Sequence, residues 1–154
     1  MKTILVGYDG TRSAEQALRR ASELAHAFGS RVVVVSVAGP DPVPPDGAFG
    51  LMPYYDLGAG ASAERRTDEE LWNRHRAEVQ QLFAGAGVDV EFAGVIGFPV
   101  EEIVEVAEQQ KADLIVVGTR EPGWLERIFG GSVSAGVARH ARCDVLIVHT
   151  PAES

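Results

Sequence analysis

At 154 residues the chain is the length of one domain, which can bury roughly 70% of its unfolded surface and needs no disulfide or metal to fold. It is 45% hydrophobic and 23% charged, as globular proteins are, and its formal charge of -8 argues against nucleic acid, whose backbone is bound by Lys and Arg releasing counterions. The lone cysteine, Cys143, excludes an internal disulfide and a multi-cysteine zinc site, and no apolar run approaches the ~20 residues that span a bilayer.

The first element is a short β-branched run from Lys2 to Gly7. It turns polar at Gly7 to Gly10, too early for a signal peptide's apolar core, so the cytoplasm is the expected compartment. A helix follows. Ala14, Ala17, Leu18, Ala21, Leu24, Ala25 and Phe28 recur at helical spacing as one stripe, Ser13 to Gln16 has the spacing of a capping box, and Gly29 stands past the end. Arg31 to Val37 is a second strand, continuously apolar rather than alternating, which suits a strand covered by helices on both faces. The stretch from Ala38 to Ala63 shows no periodicity. It holds Pro40, Pro42, Pro44, Pro45 and Pro53, and it reads as a long surface loop that exchanges its amide protons faster than Val32 to Val37. Phe49, Leu51, Met52, Tyr54 and Tyr55 leave its role open between a loop stapled to the core and a lid or partner contact.

Thr67-Asp68-Glu69-Glu70 has capping-box spacing for a second helix with Leu71, His75, Val79, Leu82 and Phe83 facing inward. A third strand is expected over Val88 to Val95 and a third helix from Pro99, with Glu101 and Glu102 at its positive end. Asp113 to Gly118 is a fourth strand. A last helix from about Ser132 to Ala141 is complemented at its negative end by Arg139 and Arg142, and a fifth strand covers Asp144 to His149. Strands alternating with helices imply right-handed crossovers in one parallel sheet, hence a single α/β domain over residues 1–150 with a tail at 151–154.

Ligands of such sheets bind outside the strand carboxyl ends, where strand order reverses. Two strand exits are glycine-rich, Gly7-Tyr8-Asp9-Gly10 and Gly118-Thr119, and Gly130-Gly131-Ser132 directly precedes the last helix, where main-chain N–H groups and the helix dipole suit an anion. Asp9 and Ser132 have helix capping as the competing role. Neither a GxGxxG fingerprint nor a Walker A sequence is present. His26, His75, His140 and His149 show no metal spacing, Cys143 reads as a small buried hydrophobe, and no Ser-His-Asp set or carboxylate pair is evident, so no enzyme activity is expected.

Ile4-Leu5-Val6 followed by Asp9-Gly10, the run from Ala112 to Gly118, Gly130-Gly131-Ser132-Val133-Ser134 and the ending from Val137 to Val148 together resemble the universal stress protein family over nearly the whole chain. The resemblance implies an open five-stranded parallel sheet of order 3-2-1-4-5, adenine-nucleotide alpha-hydrolase-like and Rossmann-like, and commonly a homodimer paired through the last strand. One branch of the family binds ATP and another does not. In the ATP-binding pattern Gly118 takes the first glycine position, Gly131 the third and Ser132 the last, while Glu121 stands where the second glycine belongs. The same resemblance puts Asp9 near the adenosine, Val37 against adenine, and Val133 with Gly118, Gly131 and Ser132 at the phosphates. ATP or another adenine nucleotide is therefore the implied ligand of a stress-response regulator. The alternatives are a dimeric interaction protein with a vestigial pocket and an adenine-nucleotide hydrolase. Trp124, Leu125, Ile128 and Phe129 are open between a core-packing turn and a dimer patch.

Overall fold

The computed structural model describes residues 1–39, 57–120 and 133–150; of residues 57–67 and of residue 120 it describes the backbone. Five strands, β1 (Thr3–Gly7), β2 (Arg31–Ala38), β3 (Val90–Ile96), β4 (Leu114–Arg120) and β5 (Asp144–Thr150), form one parallel sheet in the order β3-β2-β1-β4-β5. Among the described residues four helices alternate with them: α1 (Arg12–Phe28), α2 (Leu57–Phe83), α3 (Pro99–Gln109) and α4 (Val133–His140). The sheet order is the expected one. β1 lies at the centre with Thr3 opposite Arg31 on β2 and Ile4 opposite Leu114 on β4.

The continuous apolar runs have a direct cause. Residues on one face of β1 and β2, such as Ile4, Val6, Val32 and Val34, pack under α1 and α2 with Leu18, Val79 and Phe83. The alternate residues Leu5, Val33 and Val35 pack with Ile103, Val106 and Val137 from α3 and α4. Both faces are buried, so alternation disappears. Asp113 accepts hydrogen bonds from Lys2 N at 2.7 Å and Thr3 N at 3.0 Å, which ties the start of β1 to that of β4.

Several boundaries differ from expectation. α1 is capped by Thr11, whose side chain accepts from Ala14 N, so Ser13 lies inside the helix rather than at its cap. Phe28, placed on the inward stripe by spacing, is 59% exposed because the helix ends there beyond the reach of the core. Ala38 belongs to β2, and residues 57–63, expected as loop, already belong to α2. Thr67 therefore lies within a helix rather than at its start. His75, Val79 and Phe83 do face inward, with Leu82 partly buried against the same core. The rest of the expected loop, residues 40–56, lies outside the described residues, as do Trp124 to Phe129 and the tail at 151–154.

Candidate functional site

The carboxyl ends of β1, β2 and β4 open into a cleft on the α3–α4 side of the sheet. Its walls include Asp9 after β1, Val35 and Val37 on β2, Val117 and Gly118 on β4, Pro99 and Ile103 on α3, and Val133 at the start of α4. β1 and β4 are neighbours, while the chain winds from β1 towards β2 and β3 in one direction and through β4 to β5 in the other. This is the switch point at which a doubly wound sheet leaves room for a ligand.

Four of the six residues singled out by sequence thus meet in one place: Asp9, Val37, Gly118 and Val133. The other two, Gly131 and Ser132, lie outside the described residues, as does Glu121. Val133 opens α4, so the helix presents its N-terminal end to the cleft. Asp9 holds the adjoining turn. Its Oδ1 accepts from Thr11 N at 3.0 Å and from the Thr11 hydroxyl, and Thr11 in turn caps α1. The capping role weighed for Asp9 is therefore taken by Thr11, with Asp9 bracing the cap.

Gly118 has a second reason to be glycine. A Cβ there would overlap the Ser13 carbonyl oxygen and reach within 3.1 Å of Ala14 N, because the end of β4 passes directly beneath the first turn of α1.

The spacing of α2 puts His75 on its inward stripe. His75 turns out to be buried, with Nδ1 2.7 Å from Ser36 Oγ and its ring edge-on to Tyr8 at a centroid distance of 5.1 Å. Tyr8 donates its hydroxyl hydrogen bond to Glu78, and Trp72 Nε1 donates to the Ser36 carbonyl at 3.2 Å. Burial, with the hydrogen bond and charge of Glu78 added, pushes the Tyr8 phenol far above its ordinary range. Burial also lowers the pKa of His75. The serine and histidine do not form a hydrolytic pair facing the cleft. Ser36 is 0% exposed and points to α2, and Glu78 is engaged by Tyr8. Cys143 is packed against the α3–α4 core, and burial raises its thiol pKa. Among the described residues no group of three or more His, Cys, Asp or Glu could hold a metal ion, and no helix is long and apolar enough to cross a membrane.

A family model described as the universal stress protein family matches residues 1–149. A universal stress protein of Methanocaldococcus jannaschii is 32% identical over 153 residues, covering 97% of this chain and 83% of the relative. One from Mycobacterium tuberculosis is 32% identical over 156 residues and covers 97% of each. Among solved structures, a universal stress protein described as in complex with cAMP is similar at a TM-score of 0.67 and 31% identity, covering 97% of this chain and 98% of that one. The sheet order, the cleft at its switch point and these likenesses agree: the chain belongs to the universal stress protein family.

Proposed function

We propose that this universal stress protein binds an adenine nucleotide in the switch-point cleft and works by carrying that ligand in a stress response rather than by turning it over. The observation that carries the reading is the convergence of Asp9, Val37, Gly118 and Val133, from four separate parts of the chain, on one recess. The similar structure described as in complex with cAMP supports the ligand class. In this reading Asp9 lies beside the adenosine, Val37 meets adenine through its backbone, and main-chain N–H groups of Gly118, Gly131, Ser132 and Val133 hold phosphate at the start of α4. Hydrolysis is not assigned to this cleft, since the described serine–histidine pair is sealed behind the sheet.

The choice among nucleotides turns on Glu121. Two like charges ~4 Å apart cost about 1 kcal/mol in water and about 4 kcal/mol at an effective dielectric near 20. A phosphate chain carries several charges and a cyclic or simple monophosphate fewer, so Glu121 disfavours ATP most. Calorimetric titration of ATP, cAMP, AMP and adenosine into wild type and Glu121→Gly tests this. The variant should gain at least about tenfold in ATP affinity, ~1.4 kcal/mol, and much less for adenosine. Low-micromolar ATP binding by the wild type would refute the repulsion; Gly123, two residues beyond Glu121, would then be the glycine that replaces the missing one. Absence of binding by either protein, for every ligand, would leave a vestigial pocket and favour an interaction protein.

The same reading makes the protein a cytoplasmic homodimer. β5 pairs with β4 and, among the described strands, with no other, so it stands at an edge of the sheet to which the same strand of a second copy would add.

A further inference from the structure

Behind the cleft, on the opposite face of the sheet, lies a buried polar cluster around Ser36 and His75, which Tyr8, itself a wall of the cleft, joins from the β1 exit. Strand alternation separates the two. Val35 and Val37 line the cleft, while Val34 packs under α1 and α2 and Ser36 meets His75 of α2. His75 is 4% exposed and is held on three sides. Ser36 Oγ is 2.7 Å from Nδ1, and the Tyr8 ring stands edge-on at 74°. The third side is Gly10, at φ +79°: a Cβ there would fall 2.8 Å from His75 Nε2, so the ring edge rests on the turn's own backbone. Asp9, next to Gly10, and Val37, next to Ser36, both line the cleft. One imidazole thus touches the sequence neighbour of a cleft residue on each of two strand exits.

In a close-packed interior such a ring cannot shift without moving a wall. We propose that His75 is a positioning residue of the cleft, clamping the Asp9–Thr11 turn to the end of β2 from the far side of the sheet, so that ligand affinity depends on its seat against Gly10. The nucleotide reading supplies the identity of the ligand; the clamp itself rests on the packing. Among the described residues the charged groups facing the cluster are Asp9 on the turn, Glu15 on α1, and Arg74 and Glu78 on α2, while β2 contributes the uncharged Ser36. Protonation puts a charge on the ring, draws it toward Glu78 and Asp9, and disturbs the seat.

Amide NMR of the ligand-free full chain tests the clamp first. His75→Asn keeps a partner for Ser36 but withdraws the ring edge from Gly10, and it should shift the Gly10 and Thr11 amides at neutral pH. In wild type the same two amides should titrate with the midpoint of the His75 ring carbons. Amides unmoved in both experiments overturn the proposal. A double-mutant cycle on cAMP affinity follows. Gly10→Ala pushes a methyl group into the ring's seat and should weaken binding about tenfold, ~1.4 kcal/mol. Adding His75→Asn should recover part of that loss, the remainder reflecting the left-handed backbone. Equal losses with and without His75 would overturn the clamp. If Gly10→Ala does not fold, or if wild type binds no cAMP, AMP or ATP, the amide shifts alone judge it. In the latter case the nucleotide reading falls separately.

Discussion

Gly118 shows how one residue can satisfy two demands. The family resemblance gives it a phosphate role, yet the approach of the Ser13 carbonyl leaves no room for a Cβ whether or not a ligand is bound. Backbone cannot swing aside as the tip of a side chain can. Gly118→Ala should therefore destabilise the ligand-free protein by about 1–3 kcal/mol, read as a lower urea midpoint. An unchanged midpoint would mean that β4 and α1 separate easily. Loss of nucleotide binding in that variant would not identify a phosphate donor, which is why Glu121 is the better probe. His75 makes a second prediction at this scale. Burial holds its pKa below the ordinary 6.5, with Glu78 and Asp9 pulling upward and Arg74 downward. The unfolded chain then binds the proton more readily, so folding stability is intact above pH 6.5 and falls as acid approaches the folded pKa. The difference in stability between wild type and His75→Asn should show that slope. Parallel curves would contradict it.

Among the elements, α1 bears most directly on the cleft. Its Thr11 cap satisfies Ala14 N and is itself held by Asp9. Thr11→Val keeps the shape but removes the acceptor, and should cost about 1 kcal/mol in thermal or denaturant unfolding, with Thr11→Ser restoring most of it. A valine variant as stable as wild type would show that water caps the helix equally well. The true cap was hard to read because Thr11 and Ser13 both precede the apolar stripe, and Glu15 beside Gln16 favours a start at Ser13. The early start of α2 was hidden for another reason. Residues 57–63 carry Gly58 and Gly60 and no inward stripe, whereas the segment from Leu71 to Phe83 is strongly periodic. Helix formation propagates cheaply from an established turn, so weak residues join a strong helix that they would not nucleate.

For the whole molecule the open question is assembly. β5 carries four successive half-buried residues, Val145, Leu146, Ile147 and Val148, at an edge of the sheet. Light scattering at micromolar concentration should return a dimer mass, and Ile147→Pro, which deletes a ladder donor, should move the population toward monomer. A wild-type monomer under those conditions would refute the pairing. A variant that remained fully dimeric would place the contact elsewhere.

Much of this molecule was legible in its sequence. Continuous β-branched runs such as Val32 to Val35 suit strands covered by helices on both faces, so these runs and their alternation with helical stripes pointed to parallel strands with helical crossovers. The glycine-rich exits mark the end of the sheet that carries the cleft, and Asp9, Val37, Gly118 and Val133, which the family resemblance points to, are among its walls. What only the tertiary structure decided is the set of contacts that no local spacing encodes. Ser36 and His75 stand 39 positions apart and Tyr8 and Glu78 stand 70 apart, and each pair meets because α2 crosses the exits of β1 and β2. Periodicity could say that His75 faces inward; it could not say what waits there, because burial depends on distance in space and periodicity reports only direction around a helix.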